Sequence, residues 1–431
     1  MTQMKMNEIL NGDKVKVSLK FGYLGLGMGG CNIAAECAKI KTKATNLRYP
    51  YSALLINTNT MDLEKIDTKD ANIQKIVLDG YEKGAGRDIK IGELAFKDNL
   101  SLIKDKIETF FEDRDFLWIV VGLGGGTGTG AILEALKLLY TSKFKGRFGL
   151  ICTLPRENEG STVLENALIR LQKIYLAMTQ LEISMIPVIN QKLYGTYLKN
   201  NPSATIEEYL KFSNTFIANT LHDMNVLSSS YKPYGEFHFD SSEWLKLIKT
   251  PGVINFAKIA VKPNNLDLDN EGSFMTPLKE SITQGILSDG YDYKHTKRAA
   301  VSVITNQNTA DRFYTVKFTN SIEQYLGDIA PLATERPLST YVSNDVQGFN
   351  MYALFAGLRL PKHVTEMIAK QTELQEKRKE IAAEEDDIFA KLQNTSFETA
   401  SQKQDVDLDQ LFGSSSEDAK TDEKDPLAFL D

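Results

Sequence analysis

Residues 116–130 read FLWIVVGLGGGTGTG: six apolar positions in a row, then five glycines between Gly124 and Gly130. An apolar run of this length without polar alternation predicts a strand buried on both faces, as in a parallel sheet covered by helices. Gly124, Gly125, Gly126, Gly128 and Gly130 leave the backbone amides free to curl around an anion. The helical pattern that follows, 131–139, adds the positive end of its dipole. The hydroxyls of Thr127 and Thr129 can donate to phosphate oxygens or hold a magnesium-linked water. No GK[ST] occurs in the chain, so there is no Walker lysine, and amides, dipole and magnesium are left to carry the phosphate charge.

Outward from this loop, short β-rich runs alternate with helical patterns. Strands are predicted at 15–26, 52–57, 73–78, 116–121, 148–154 and 184–189, and helices at 31–40, 91–111 and 131–139. A long helix is predicted from about 202 to 226, with Asn201-Pro202-Ser203 as its start. Residues 228–240 break into Ser, Tyr, Pro, Gly and His, a loop. Beyond it lies a second α/β unit, with strands at 252–262, 299–305 and 351–358 and a helix at 277–287. Pro361 precedes a charged helix to about 392, on which Met367, Leu374, Ile381 and Ile388 repeat every seven residues. That stripe fits a helix lying on the body or one that binds a partner. The organisation expected is a nucleotide-binding domain at 1–227, a catalytic loop at 228–244, an α/β domain at 245–360, a helix at 361–395 and a disordered acidic tail at 396–431.

A second glycine cluster, Gly25-Leu-Gly-Met-Gly-Gly30, also follows a strand, and Gly25, Gly27 and Gly30 satisfy the dinucleotide pattern GxGxxG. That fingerprint requires an acid at the end of the next strand, where this chain has Asn57-Thr58-Asn59, so a nicotinamide oxidoreductase is disfavoured. Composition narrows the classes further. The chain has 431 residues, 42% hydrophobic and 25% charged, which suits two or three globular domains. Cys31, Cys37 and Cys152 form no CxxC pair and the four histidines are widely spaced, so neither a disulfide framework nor a zinc knuckle is indicated. No signal-peptide core or membrane-length apolar run occurs, which predicts a cytoplasmic protein without membrane contact. Ten of the 57 acids and three of the 50 bases fall in 396–431, so the net charge of −7 resides in the tail. A neutral body is not the basic surface of a direct DNA binder.

The GGGTGTG loop, preceded by a glycine loop after the first strand, resembles the signature of the tubulin/FtsZ superfamily of GTP-dependent filament proteins. FGYLGLGMGGC followed by IAAEC, residues 21–37, is most similar to its TubZ branch, which segregates plasmid and phage DNA. The resemblance spans about 15–395, and the tail lies outside it. It implies a Rossmann-like GTPase domain joined by a long central helix to a smaller α/β domain. GTP/GDP and Mg2+ are the implied cofactors, with no metal ligand named.

By this similarity, Gly29, Gly30, Cys31 and Asn32 lie under the diphosphate, Asn57 and Thr58 lie beneath the nucleotide, and Gly84-Ala85-Gly86-Arg87 senses the γ-phosphate. Glu159, before Gly160, holds the ribose. FtsZ carries a phosphate-contacting arginine where this chain has Val163, leaving Glu157 or Arg156 to compensate. Asn190 and Asn214 read guanine, whose edge needs both donors and acceptors. FtsZ adds an aspartate where Thr215 stands. Asp240 and Glu243, with His238 nearby, belong to the loop that enters the neighbour's nucleotide pocket. The same pair has capping-box spacing, so a purely helix-starting role is the other reading.

The resemblance therefore implies a GTPase assembling head to tail, with Asp240 and Glu243 completing the adjacent subunit's site. It also implies a DNA-binding adaptor captured by the C-terminal tail. TubZ tails often carry basic blocks and this one is acidic, which favours a protein partner over DNA itself. A divergent cell-division FtsZ is the alternative, faintly supported by the ending DPLAFLD, and a non-catalytic scaffold is opposed by the two retained acids.

Overall fold

The computed structural model describes residues 16–42, 49–67, 70–235, 239–267, 269–344, 346 and 348–393. In chain order the first half runs β1 (Phe21–Leu26), α1 (Gly27–Ala38), β2 (Ser52–Asn57), α2 (Thr60–Glu64), β3 (Ile73–Val77), α3 (Ile89–Asp98), α4 (Leu100–Phe110), β4 (Phe116–Gly122), α5 (Thr127–Tyr140), β5 (Phe148–Leu154), α6 (Ser161–Gln180), β6 (Ser184–Ile189), α7 (Asn190–Asn200) and α8 (Ile206–Ser230). The second half runs β7 (Lys232–Pro233), α9 (Ser241–Ile248), β8 (Gly252–Val261), α10 (Gly272–Gln284), β9 (Arg298–Thr305), α11 (Gln307–Phe313), α12 (Val316–Ile329), β10 (Leu338–Val342), β11 (Phe349–Leu358) and α13 (Lys362–Gln393).

The described strands form one sheet, ordered β3-β2-β1-β4-β5-β6-β8-β11-β9-β10-β7. β1 to β6 are parallel, and β6 hands over to β8 through two residue pairs, Ser184 with Gly252 and Met185 with Val253. β8 and β9 then flank β11 antiparallel. The strand order reverses between β1 and β4, the switch point where open α/β sheets bind ligands at the carboxyl ends of their strands. Both faces of the central strands are buried, which is why 116–121 reads as continuously apolar: Leu117, Ile119 and Val121 enter the core on one face, Phe116, Trp118 and Val120 the core on the other.

Several sequence expectations shift. The first strand is confined to Phe21–Leu26, because the segment before it docks on α8 instead, Ser18 N–H donating to Asn225 O at 2.7 Å. The expected helix 91–111 is two helices. The Asn99 side chain donates to the carbonyls of Asp79 and Ala95 and accepts from Asp79 N–H, competing with the helical ladder at the break. The central helix starts at Ile206, where Thr205 and Glu208 form a capping box, rather than at Asn201-Pro202-Ser203. It runs through Ser230 into the segment expected to be loop, and the unpredicted α7 precedes it. The heptad stripe of α13 divides: Met367 is buried and Leu374 partly so, whereas Ile381 and Ile388 are exposed. The acidic tail and His238 lie outside the described residues. No described helix is long and apolar enough to cross a membrane.

α8 is joined to the second half by a buried ion pair, Asp223 with Lys258 of β8 at 3.3 Å, the side chains 1% and 7% exposed. Burial raises the Asp223 carboxyl to about 6, with Lys258 pulling the other way. Lys258→Met should lower the unfolding free energy by about 3–5 kcal/mol in denaturant titration at neutral pH, since it strands a buried carboxylate. The loss should shrink as pH falls and the carboxyl takes up a proton, and adding Asp223→Leu should recover most of it. A single variant as stable as wild type would show that the pair contributes nothing.

Candidate nucleotide site and a distant pair of acids

At the switch point the ends of β1 and β4 turn directly into α1 and α5, and glycine lets the two turns touch. Gly27 has φ +67°, and a Cβ there would stand 2.8 Å from the amide nitrogen of Gly128, while one on Gly128 would stand 2.5 Å from Leu26 O. Gly30 passes so close to β4 that a Cβ would reach 2.1 Å from Val120 O. It is therefore a close-approach glycine inside α1, whereas a Cβ on Gly29 would make only an ordinary contact with Gly122 Cα at 3.8 Å and Gly125 has open space beside it.

The N-termini facing this crevice are bare, as are those of α4 and α10 elsewhere. α1, α5, α6 and α7 have no side-chain cap and no acid in the first turn. By contrast, α2, α3, α8, α9, α11 and α12 are capped by Asn59, Asp88, Thr205, Asp240, Asn306 and Thr315. An uncapped first turn presents orphan N–H groups and a positive dipole end, the arrangement that binds phosphate. The residues thus suit a polyphosphate. With no carboxylate in those first turns, a magnesium ion would be held chiefly through phosphate oxygens and water.

The threonines behave differently from the sequence expectation, in which both hydroxyls served phosphate. Thr129 is fully buried, accepts from Gly124 N–H at 2.9 Å and points its own proton at Gly122 O. Thr127 Oγ1 lies 2.7 Å from Thr58 Oγ1, tying the end of β2 to the glycine loop and leaving one hydroxyl proton of that pair for another acceptor. The loop chemistry rests mainly on amides. Asn57 is buried, its carbonyl oxygen taking the Thr58 N–H at 2.9 Å. The Cys31 thiol turns inward to Gly25 O and Ile56 O, and burial pushes its pKa up, so of Cys31 the backbone is what can face a ligand.

Residues 84–87 are brought onto the glycine loop: a Cβ on Gly126 would meet Ala85 Cβ at 2.8 Å and Arg87 N at 3.0 Å. Gly84, Gly86 and Arg87 all have positive φ, and for Arg87 at +68° this costs roughly 1–2 kcal/mol. Asn166 of α6, absent from the sequence expectations, holds the pair of loops together, donating to Arg87 O at 2.8 Å and Gly124 O at 3.3 Å. Nothing in its local sequence distinguishes it from a solvated helical asparagine. Val163, where FtsZ has arginine, is buried, and its methyl Cγ1 would stand 2.4 Å from a Cβ on Gly124.

Further along the edge, Glu159 folds back on Arg156, its Oε1 accepting from Arg156 N–H at 3.1 Å and Nε–H at 3.0 Å. The guanidinium lies over the Tyr194 ring at 4.4 Å. Tyr194 in turn meets Tyr209 edge-on at 5.0 Å, and Tyr197 stacks on Phe212 at 4.6 Å. This aromatic group between α7 and α8 was also missed, since each ring reads alone as ordinary core. Burial pushes the Tyr209 phenol up to about 12, and its O–H donates to Asn190 O at 3.4 Å. Asn190 opens α7. Asn214 is half-buried in the third turn of α8, eight residues after Ile206 at its start.

Asp240 and Glu243 are not part of this group. α8 has 25 residues, about 37 Å at 1.5 Å per residue. Its first turns meet the carboxyl edge of the sheet at Asn190, while Asn225 meets the opposite edge at Leu19. Trp244 of α9 donates to Asn225 Oδ1 at 3.0 Å, placing α9 at that far edge. There Asp240 caps α9 through Ser242 N–H and Glu243 N–H, and Glu243 Oε2 accepts from Asp240 N–H at 3.0 Å, so the capping box is real. Glu243 also lines an open cleft of about 710 Å³ with Tyr314, Val316, Glu323 and Arg336.

Comparison with known proteins agrees with this layout. Residues 21–197 match the tubulin/FtsZ family GTPase domain, and residues 237–362 match the C-terminal domain of the tubulin-like protein TubZ. A curated tubulin-like protein TubZ from Bacillus cereus is 44% identical over 375 residues, 84% of this chain and 85% of the relative. A GTPγS-form protofilament of TubZ from Bacillus thuringiensis serovar israelensis has the same fold, with a TM-score of 0.74 at 22% identity over 89% of this chain and 99% of that one. So does a structure described as a type III plasmid segregation TubZ, with a TM-score of 0.70 at 20% identity over 88% and 98%. The chain belongs to the TubZ family of tubulin-like proteins, within the tubulin/FtsZ superfamily.

Proposed function

We propose that this chain binds GTP and hydrolyses it only when polymerised head to tail, the Asp240–Glu243 end of one subunit completing the phosphate site of the next. The observation that carries this reading is the separation of parts. Amide cradles and uncapped helix ends lie at one edge of the sheet and two acids at the other, across a helix about 37 Å long. Amides and threonines stabilise charge but are poor bases, whereas carboxylates can orient an attacking water. One subunit cannot bring its own acids to its own phosphates, and a heterologous stack can, generating an open filament. Relatives described as GTPγS-form and GDP-form protofilaments support nucleotide-bound stacking.

In this reading the amides of 124–130 and 27–30 hold the phosphates, with Mg2+ shared between phosphate oxygens and water, and Ala85 and Gly86 sit at the γ-phosphate. Glu159 turns from Arg156 to the ribose, and Asn190 and Asn214 meet the guanine edge. The finer biological role is DNA segregation in the cytoplasm, with the filament capturing a DNA-binding adaptor through residues 396–431. The plasmid-segregation description of a structural neighbour supports it.

Asp240→Asn keeps the helix cap while removing the charge. It and Glu243→Gln should bind GTP and polymerise, but into filaments that do not turn over. In wild type, specific GTPase activity should rise steeply above a threshold protein concentration. Activity independent of concentration, or wild-type hydrolysis by both variants, would reject the shared site.

Gly126→Trp should abolish GTP binding and assembly together, since even a Cβ there meets Ala85 and Arg87; nucleotide binding and light scattering read this directly. Truncation after residue 395 should leave GTPase activity and filaments intact while abolishing retention of the adaptor–DNA complex in a pull-down. Unchanged retention would exclude the tail.

A further inference from the structure

We propose that Glu157, His363 and Glu366 form a binding site for a zinc-class divalent cation, which staples the first turn of α13 to the loop between β5 and α6. Each of the three side chains offers a ligand atom, and these atoms all lie within 4.8 Å of one another. Glu157 comes from the Pro155–Gly160 loop. His363 and Glu366, three residues apart, share one face of α13.

The histidine is what distinguishes this group from a chance cluster of acids. His363 is 5% exposed, and its Nε2 lies 3.1 Å from Pro155 O. A carbonyl has no proton to give, so Nε2 is the donor, which leaves Nδ1 as the ring nitrogen open to a metal. Nδ1 faces carboxylate, 3.5 Å from Glu366 Oε2. The buried imidazole and the two carboxylates stand together as one nitrogen and two oxygen donors. An imidazole whose second nitrogen donates to a backbone carbonyl is the arrangement that orients a histidine toward a metal.

One imidazole and two carboxylates, with water as a fourth ligand, suit zinc, whereas magnesium and calcium prefer oxygen alone. Ligand atoms about 2.0–2.1 Å from a tetrahedral ion stand roughly 3.4 Å apart. Closing from 4.8 Å therefore needs only side-chain rotation of Glu157 and Glu366, both of which have exposed surface. Lys362 holds the other Glu366 oxygen, Oε1, at 3.3 Å and leaves Oε2 to the site. His363 and Glu366 also border a cleft of about 540 Å³, which gives ions and water a way in. The three cysteines are buried and do not compete.

The test uses the full chain, stripped with chelator, without nucleotide and in excess magnesium. Zinc chloride titration by calorimetry should give one ion per chain, and cobalt substitution should give the visible absorption of a tetrahedral site. His363→Ala and, separately, Glu157→Gln should each weaken zinc binding at least about tenfold. Zinc should raise the melting temperature of wild type but not of His363→Ala. Glu157→Gln changes one partly exposed loop side chain, so it remains informative if His363→Ala misfolds. Absence of stoichiometric zinc binding would overturn the proposal. Zinc binding that survives in Glu157→Gln unchanged would overturn it too. Zinc binding is measured without GTP, so its failure leaves the GTPase reading standing.

Discussion

A single buried asparagine ties together the parts that the proposed chemistry needs. Asn225, inside α8, uses its whole amide: it accepts from Leu19 N–H and Trp244 Nε1–H and donates to Leu19 O and the Tyr51 hydroxyl. One side chain thereby fixes the lead-in to β1, the start of β2, the central helix and α9. A buried amide with every group satisfied costs little, whereas each partner lost leaves a desolvated polar atom. The far end of α8 is therefore held in one position relative to the sheet, and with it the pair of acids at the start of α9. His222, three residues earlier on the same helix, extends the same network by pairing with Tyr51, and burial lowers its pKa to about 4, so it remains neutral at physiological pH.

The other end of α8 is built on a different principle. There the sheet's carboxyl edge offers helix starts with nothing on them. Six of the other helices start with a Ser/Thr/Asn/Asp side-chain cap, while α4 and α10 do not, so bare first turns gather at the crevice without being confined to it. Their proximity depends on glycine. Backbone meets backbone at Gly27 and Gly128 and at Gly30 and Val120, distances that no side chain tolerates. The left-handed Arg87 shows local strain held by its surroundings, with Asn166 accepting the task of pinning its carbonyl.

Between these two ends, rigidity comes from a continuous sheet. The junction from β6 to β8 is only two residue pairs long, so the ion pair of Asp223 with Lys258 and the core on the α8 side of the sheet carry much of the connection between halves.

Much of this was legible in the residues. The run 116–130 announced a doubly buried strand and a glycine-rich turn into a helix because burial on both faces forbids polar alternation and close backbone approach demands glycine. The spacing of Asp240 and Glu243 announced a helix start. What the sequence did not disclose were features created by distance in the chain: the break at Asn99, the spent hydroxyls of Thr127 and Thr129, the bridging by Asn166, and the aromatic group of Tyr194, Tyr197, Tyr209 and Phe212. Local composition determines strands, turns and glycine loops, since those depend on backbone freedom and hydrophobic period. Which hydroxyl is already engaged, and which edge of the sheet a carboxylate reaches, depends on partners 40 to 200 residues away, and only the tertiary structure supplies them.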